Sequence, residues 1–371
     1  MIDRDPMVET TQLPDDSIRV APESARRLTS ELFQAVGVPR AEAELVAEVL
    51  ASADLRGIRS HGLARIPYFL VRLQSGVIAT DPEMSFEQRT ATTGVLDAGN
   101  GIGIVAADRA MTEAMQMAGN NGSGFVGVKD SSHFGYAGLW AEKAMRAGML
   151  GISMSNSGRR VAPTFGTDSV LGTNPLAVTL PGSAGDTDFY LDMATSAVAV
   201  GKVETALREG CALPPGWLTS STEPGLDSNG ILSFDAPLLP LGGEGTESGG
   251  HKGYGLGLMV ELLCGALTGT SFEARIAGAD GSGPPAMGHL MGAIDLEGFR
   301  PLADFQADMA ATFDQIRGGS KSPGHDRIYI PGEPETIAMA SNQREGIGVS
   351  PAMRSQLEIW CERLGVEPGL E

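Results

Sequence analysis

A serine and a histidine stand side by side at Ser60 and His61, and an arginine follows at Arg65. An imidazole has a reference pKa of about 6.5, so it can accept or donate a proton near neutral pH. A guanidinium can bind a carboxylate through two parallel hydrogen bonds. This pattern is typical of a site that moves a proton on a small anionic substrate. From these residues alone, a structural interpretation is favoured, in which His61 caps a helix and Arg65 pairs with a surface acid, because one histidine and one arginine at this spacing are common.

Two helical patterns flank this segment. Apolar residues recur at helical spacing through residues 42–55 and again through 66–73. Gly57 and Gly62 bracket the serine–histidine pair, and Gly76 stands where the second helix would stop. The sequence therefore predicts a sharp joint between two helices, with Arg65 one turn into the second helix.

Further along the chain, short strand patterns alternate with helical ones, which predicts an α/β sheet region. The predicted strands are 93–97, 124–128, 150–155, 176–180, 188–191 and 290–294. The predicted helices are 26–36, 105–118, 136–147, 254–267, 302–317 and 353–364. Loops are predicted at 129–135, 213–250 and 278–288, and a flexible tail at 1–16.

Composition narrows the class of protein. The chain has 371 residues, 42% of them hydrophobic, and a net charge of −19, which indicates a globular protein that repels nucleic acids and anionic membranes. The three cysteines are far apart and are interpreted as reduced thiols. The N-terminus lacks an apolar signal sequence, and the apolar stretch 254–267 is too short to span a bilayer. We expect a cytoplasmic protein with no nucleic-acid or membrane partner.

Signatures of other enzyme classes are weak or missing in this sequence. The segment 101–106 reads GIGIVA and matches the GxGxxA outline of a dinucleotide-binding loop, but a glycine-rich turn into a helix is the more common explanation in a chain with this much glycine. A serine hydrolase is disfavoured because no GxSxG elbow is present. A zinc enzyme is disfavoured because no HExxH or clustered Cys/His spacing is present, so no metal site is predicted. His289 and His325 are interpreted as structural.

An ordered set of further segments resembles one family closely. The segments are DSSHFG at 130–135, SNS at 155–157, LGTNP at 171–175, LDMATS at 191–196, HKGYGL at 251–256 and YIPGEPE at 329–335. Together with SHG at 60–62 and Arg65, their order and spacing resemble the malate/L-lactate dehydrogenase family of the second type. That family includes sulfolactate and ureidoglycolate dehydrogenases and the piperideine/pyrroline-2-carboxylate reductases. The resemblance covers about residues 17–366.

The resemblance implies an α/β fold of the sulfolactate dehydrogenase type, with a cofactor domain that is not a Rossmann fold. A mixed-sheet cofactor domain is expected at 81–299, and a helical domain built from both chain ends at 17–80 and 300–371. The implied cofactor is NAD or NADP, and the implied assembly is a homodimer. On this interpretation the GxGxxA segment is a coincidental turn.

The resemblance also implies roles for individual residues. Ser60 and His61 match a proton relay that includes Asp192, His133 matches a proton acceptor in some alcohol-oxidising members, and Arg65 matches the residue that binds the substrate carboxylate. Thr173 is assigned to the substrate. The cofactor residues are His133, Phe134, Gly135, Tyr136, Ala137, Leu191, Asp192, Met193, Lys252, Pro331, Gly332 and Glu333. Purely structural roles stay open for three of these residues: Asp192 could cap a helix, His133 could form a hydrogen bond within its loop, and Lys252 could face solvent instead of a phosphate.

The implied reaction is hydride transfer between a nicotinamide and a small 2-hydroxy or 2-oxo acid. This chemistry needs a proton carrier, which His61 or His133 can supply, and a carboxylate clamp, which Arg65 can supply. NADPH-dependent reduction of a cyclic imine carboxylate is the alternative reaction, and a non-catalytic binding protein is the alternative class.

Two positions depart from the family pattern. Phe69 stands where the family usually has tyrosine, and Phe165 stands where it often has glycine. Because adjacent helical residues point about 100° apart, Tyr68 is not expected to replace the missing hydroxyl.

Overall fold

The computed structural model describes residues 14, 16–208, 211–219, 224–225, 237–270 and 283–370. These residues contain nine strands and ten α-helices. The strands are β1 Ile18–Val20, β2 Ser85–Gln88, β3 Thr93–Asp97, β4 Ser123–Ser131, β5 Met149–Ser155, β6 Leu176–Leu180, β7 Phe189–Met193, β8 Met287–Asp295 and β9 Ile347–Val349. The helices are α1 Pro22–Ala35, α2 Arg40–Leu55, α3 Ile66–Gln74, α4 Gly103–Asn121, α5 Ala137–Met145, α6 Val200–Arg208, α7 Gly250–Glu261, α8 Leu302–Arg317, α9 Glu333–Glu345 and α10 Pro351–Leu364.

Seven strands form one mixed sheet in the order β2-β3-β4-β8-β5-β6-β7. Only β3 and β4 pair in parallel, joined through α4, and the other neighbouring strands of this sheet pair antiparallel. A doubly wound dinucleotide-binding sheet would instead be mostly parallel. The predicted mixed α/β architecture that is not a Rossmann fold is therefore confirmed.

The GxGxxA segment does begin a helix, α4, but protein fills the space that a phosphate would need. A Cβ at Gly103 would lie 2.0 Å from the backbone oxygen of Ser132, and one at Gly101 would lie 2.5 Å from Pro82. The Gly103 N–H donates to Ser132 Oγ at 3.0 Å. These glycines allow the chain to pack closely against itself, which agrees with a turn rather than a cofactor loop.

The two ends of the chain meet in a second, two-stranded sheet formed by β1 and β9. Around it, buried residues of α1, α2 and α3 pack with Leu357 and Trp360 of α10. The same continuous core includes Val126 and Met291 of the large sheet. Because one core crosses the boundary near residue 80, the division into two domains stays a prediction.

Most predicted elements exist, with shifted ends. The loop predicted at 129–135 is wrong in its first half, because β4 continues to Ser131, where it pairs with Met287 after an irregularity in the register. The helix predicted at 254–267 begins earlier, at Gly250, and continues as a π-helical turn over Leu262–Ala266. The short strands β1, β2 and β9 and the helices α6 and α9 were not predicted. The tail at 1–16, except for residues 14 and 16, and parts of the loops 213–250 and 278–288 lie outside the described residues.

Candidate active site

The joint between α2 and α3 is as sharp as predicted. Gly57 adopts φ of +79°, and two single 3₁₀ turns, Arg59–His61 and Leu63–Arg65, separate the helices. The predicted position of Arg65 inside the second helix is wrong, because α3 begins one residue later at Ile66, with Pro67 in its first turn. Proline favours a helix start because it has no N–H to leave unpaired. His61 and Arg65 thus lie at the ends of these two consecutive 3₁₀ turns.

A buried carboxyl group lies beneath this joint. Asp54, near the end of α2, is 8% exposed and accepts a hydrogen bond from the Leu63 N–H at 2.8 Å. A Cβ at Gly62 would lie 2.1 Å from the Asp54 carboxyl carbon, so only glycine fits there. Burial raises the pKa of Asp54 to about 7, against the opposing effects of the Leu63 N–H and the Arg59 charge. The sequence analysis missed Asp54, although an acid within an apolar helical stripe is a signal that could have identified it.

Two imidazoles face each other at the centre of the site. The ring centroids of His61 and His133 are 5.3 Å apart. Burial, and then the charge of Arg65, lowers the pKa of His61 to about 3. Burial and the same arginine also lower the pKa of His133 well below its usual range. Both imidazoles are therefore neutral at physiological pH in the unliganded protein.

The hydrogen bonds of the two imidazoles differ. The Gly135 N–H donates to His133 Nδ1 at 3.1 Å, which places the proton of neutral His133 on Nε2 and makes Nε2 a donor. His61 Nδ1 lies 2.9 Å from the Ser60 hydroxyl, which can either donate or accept. His61 can therefore exchange tautomers with help from Ser60, whereas the tautomer of His133 is fixed by the backbone.

Arg65 is held at the same joint. Its Nε donates to the Ser60 carbonyl at 2.6 Å. Burial lowers the pKa of Arg65, and the carboxylate of Glu204 on α6 partly offsets this effect. Helix α6 approaches closely there, since a Cβ at Gly201 would lie 3.0 Å from Ser60 Cβ. The guanidinium of Arg65 is thus held by the joint and lies under the electrostatic influence of α6.

The Tyr68 ring approaches one of the two imidazoles, that of His133. Its ring centroid lies 5.8 Å from that of His133, and the Phe69 centroid lies 6.0 Å from the same ring. Phe69 is fully buried and also packs on Phe33 at 5.8 Å. Tyr68 and Phe69 are neighbours on α3, and their side chains point in different directions. Both rings nevertheless lie close to the His133 ring. The guanidinium of Arg72 lies 4.0 Å over the Tyr68 ring.

Three of the predicted cofactor segments meet around Tyr190 on β7. The Tyr190 N–H donates to the Pro331 carbonyl at 3.1 Å, and a Cβ at Gly332 would lie 2.5 Å from Tyr190 Cβ. The Gly138 N–H donates to Asp192 Oδ2 at 2.8 Å, at the N-terminus of α5. The structure thus brings together segments 136–138, 190–193 and 331–333, which are far apart in sequence.

Asp192 has a buried carboxyl group. Burial raises its pKa to about 6, although the Gly138 N–H favours the charged form. Among the described residues, the Asp192 carboxyl group accepts a hydrogen bond from the Gly138 N–H, while His61 Nδ1 pairs with the Ser60 hydroxyl. The proton relay from Asp192 to His61 therefore stays a prediction.

A buried ion pair lies beside these segments and was not predicted. Arg56 and Glu142, with side chains 6% and 7% exposed, are joined by a 2.7 Å contact. The Arg56 guanidinium also lies 4.7 Å over the Tyr190 ring. Arg56 follows α2 directly, so the ion pair fixes the end of that helix against α5. The ion pair therefore connects the joint that carries His61 to helix α5.

His289 on β8 packs against the loop that carries His133. The rings of Phe134 and His289 are stacked 4.6 Å apart, and the two nitrogens of His289 lie within 2.9 Å of the Ser131 and Ser155 hydroxyls. Burial lowers the pKa of His289 to about 3, so it is neutral. Phe134 is itself 3% exposed, so its side chain belongs to the core. The structural interpretation of His289 agrees with these contacts.

The other predicted residues lie in different surroundings. Thr173 belongs to the loop before β6, where its N–H and hydroxyl lie 3.0 and 3.3 Å from Ser157 Oγ. Lys252 is exposed in the first turn of α7. Phe165 is 85% exposed and adopts φ of +67°. A left-handed backbone explains why glycine would be favoured at that position.

Known proteins resemble this chain along nearly its whole length. A family model described as malate/L-lactate dehydrogenase matches residues 20–358. A malate dehydrogenase of Pyrococcus abyssi is 36% identical over 98% of this chain and 100% of the relative. The solved malate dehydrogenase of Pyrococcus horikoshii OT3 superposes with a TM-score of 0.85 at 33% identity, over 96% of this chain and 98% of that one. A delta1-piperideine-2-carboxylate reductase of Pseudomonas syringae superposes with a TM-score of 0.77 at 29% identity, over 92% and 99%. No helix in the described part of the chain is long and apolar enough to cross a bilayer.

Proposed function

The chain belongs to the malate/L-lactate dehydrogenase family, oxidoreductases acting on 2-hydroxy acids, and we propose that it transfers a hydride between NAD or NADP and a small 2-hydroxy acid or its 2-oxo counterpart. One observation carries this proposal. Two neutral imidazoles, 5.3 Å apart, lie beside the guanidinium of Arg65. The arrangement combines a carboxylate clamp with a proton carrier, the two groups that this reaction needs from the protein.

We assign the proton transfer to His61. During oxidation the substrate O–H bond breaks and its proton passes to neutral His61. The C–H bond breaks at the same time, its hydrogen and both electrons leave as the hydride that a bound nicotinamide would accept, and the C=O bond forms. The substrate carboxylate, bound by Arg65, adds negative charge and offsets the positive charge that lowers the pKa of His61, so the imidazole holds the proton more readily. His133 donates from Nε2 to the same oxygen, because its Nδ1 accepts the Gly135 N–H. This division of roles follows from the tautomer that each ring can adopt.

The segments around Tyr190 fit a dinucleotide. Apart from the Gly138 N–H, which donates to Asp192, the first turn of α5 carries backbone N–H groups of the kind that suit a phosphate. The Tyr190 hydroxyl is buried there without a hydrogen-bond partner among the described residues, so a polar ligand group could satisfy it. When bound, the nicotinamide ring accepts or gives the hydride. Segments 136–138, 190–193 and 331–333 would hold the cofactor, and Lys252 is the least supported member of the predicted set.

Kinetics with purified protein test the function. We expect reduction of NAD⁺ or NADP⁺ with a 2-hydroxy acid, and oxidation of the reduced cofactor with the matching 2-oxo acid. His61→Ala should abolish turnover while cofactor affinity, measured by fluorescence titration, is retained. Loss of cofactor affinity instead would remove His61 from the substrate site.

The clamp is tested separately. Arg65→Ala should raise KM for 2-hydroxy acids, and Arg65→Lys should restore only part of the loss, because an ammonium lacks the two-pronged geometry of a guanidinium. An unchanged KM in both variants would reject the clamp.

Reduction of a cyclic imine carboxylate is the second candidate, supported by the likeness to the Pseudomonas syringae reductase. The two reactions separate in one assay. Oxidation of NADPH with a preformed cyclic imine, but not with 2-oxo acids, would replace the dehydrogenase proposal.

We further propose a homodimer in the cytoplasm. Exposed apolar side chains support an interface: Phe165, Leu262 and Leu267 are 85%, 53% and 64% exposed, and a cavity of about 310 Å³ lies beside Leu262. The buried free thiols of Cys264 and Cys361 suit a reducing compartment. Light scattering coupled to size-exclusion chromatography tests the dimer, and a monomeric mass would reject it.

A further inference from the structure

The glycine-rich start of α4 packs against the backbone of His133. A Cβ at Gly103 would lie 2.0 Å from the Ser132 carbonyl oxygen. The same Cβ would lie 2.7 Å from both the carbonyl carbon and the carbonyl oxygen of His133. Atoms in favourable contact are normally about 3.5–4.0 Å apart. Any side chain at position 103 would therefore push the His133 backbone away from the helix.

The hydroxyl of Ser132 ties the loop to the same segment. Its Oγ accepts the Gly103 N–H at 3.0 Å and donates to the Gly101 carbonyl at 2.9 Å. Ser132 is fully buried, so water does not compete for these bonds. An amide group at the start of a helix has no partner within the helix, and here Ser132 supplies one. The residue before His133 thus completes the start of α4, although the two segments are about 30 residues apart in sequence.

The backbone after His133 is held as well. The Trp140 indole N–H donates to the Phe134 carbonyl at 2.8 Å, and the Gly135 N–H donates to His133 Nδ1 at 3.1 Å. The imidazole of His133 lies between these two fixed stretches, with its centroid 5.3 Å from that of His61. The distance between the two imidazoles therefore depends on where the backbone of the loop rests on α4.

We propose that the start of α4 is a positioning platform for His133, in which Gly103 sets the distance between the His133 backbone and the helix and Ser132 holds it there. The proposal rests on the proposed function, in which Nε2 of His133 donates to the substrate oxygen. It gives the glycines of segment 101–106 a role that involves no phosphate. A misplacement of about 1 Å can cost about 100-fold in rate, so the platform should matter for the chemical step.

Two variants disturb the platform in different ways. Gly103→Ala places a methyl group against the backbone of the loop, and Ser132→Ala removes the hydroxyl that ties the loop down. Gly119→Ala, in the same helix, is the control for the first, because its Cβ would lie 3.9 Å from the nearest side chain. Ser153→Ala is the control for the second, because Ser153 is fully buried and its hydroxyl has no hydrogen-bond partner among the described residues.

The rate of cofactor reduction in a single turnover, and its dependence on 2-hydroxy acid concentration, are measured for each variant. We expect Gly103→Ala and Ser132→Ala to lower the rate about 10- to 100-fold. The half-saturating substrate concentration should change little, because Arg65 binds the substrate from another element. Both controls should behave as the wild type. Wild-type rates in Gly103→Ala and Ser132→Ala would overturn the proposal.

A background that lacks His133 distinguishes positioning from a general loss of structure. Residues that act as one unit are not additive in their effects on rate. In His133→Ala, adding Gly103→Ala or Ser132→Ala should therefore cause little further loss of rate. Further losses as large as those in the wild-type background would overturn the proposal, since they would show that the two residues do not act through His133.

Nitrogen NMR of the histidine side chains tests the platform even if no 2-hydroxy acid is turned over. The signals that disappear in His133→Ala identify this residue among the five histidines. In the wild type the His133 nitrogens should give one protonated and one unprotonated signal, because the Gly135 N–H fixes the tautomer. Gly103→Ala and Ser132→Ala should move both signals towards intermediate values as the tautomers exchange. Unchanged signals would reject the platform, whereas shifted signals without turnover would contradict only the proposed function.

Discussion

Asp54→Asn is expected to change how the stability of the protein depends on pH. The carboxyl group of Asp54 is buried beneath the joint that carries His61, and its pKa is raised from 3.8 to about 7 by burial. The folded protein therefore holds this proton more tightly than the unfolded chain does. The contribution of Asp54 to the free energy of unfolding is complete below pH 4 and is lost as the pH rises towards 7.

The size of the effect follows from the pKa. Each pKa unit corresponds to 1.36 kcal/mol, so the rise to about 7 corresponds to about 4 kcal/mol in total. Between pH 5.5 and pH 7.5, above the isoelectric point of about 4.7, about 2 kcal/mol of this should be visible. Asparagine does not titrate, yet its amide oxygen can still accept the Leu63 N–H. The free energy of unfolding of the variant, minus that of the wild type, should therefore rise by about 2 kcal/mol across this range.

Urea unfolding, followed by tryptophan fluorescence at several pH values, measures this difference. Other titrating groups change both proteins equally and cancel. Asp304→Asn, at an exposed position of α8, controls for the removal of one carboxyl group. Parallel stability curves for the wild type and Asp54→Asn would refute the reasoning. A difference of the opposite sign would show that Asp54 is charged and paired in the folded protein.

Other perturbations test the packing around the site. Glu142→Ala leaves a buried arginine without its partner and should lower the free energy of unfolding by about 3–5 kcal/mol, whereas Glu44→Ala, in an exposed ion pair, should change it little; similar losses in both would contradict the role given to burial. Gly103→Ala should destabilise by about 1–3 kcal/mol, because its Cβ would meet the Ser132 backbone. Gly255→Ala has open space around it and should stabilise by up to about 1 kcal/mol in the same denaturation assay; equal effects at the two glycines would show that helix propensity decides both.

Local signals predicted the joint well. The apolar stripe at 42–55 and the flanking glycines were sufficient to place a helix, a break and a second helix around Ser60 and His61. Helix α2 begins two residues earlier, at Arg40, and α3 ends at Gln74. These features depend on periodicity and on glycine, which a sequence displays directly.

Long-range contacts were harder to predict. Strand β4 extends to Ser131 because β8 pairs with it, and that partner lies far along the chain. The role of Asp54 depends on its contact with the Leu63 N–H, and the role of Glu142 depends on its ion pair with Arg56. Neither contact can be deduced from the sequence pattern. Such errors arise where a residue's surroundings come from another element.

The pairing of β1 with β9 has a consequence for the way the protein is made. Ile18 pairs with Val349, so β1 leaves the ribosome long before its partner does. At about 5–20 residues per second, this interval lasts tens of seconds. The apolar residues Leu28, Leu32 and Phe33 share a core with Trp360 and so cannot be completely buried during that time. The part of the chain that carries His61 should thus acquire its final packing only after synthesis is almost complete.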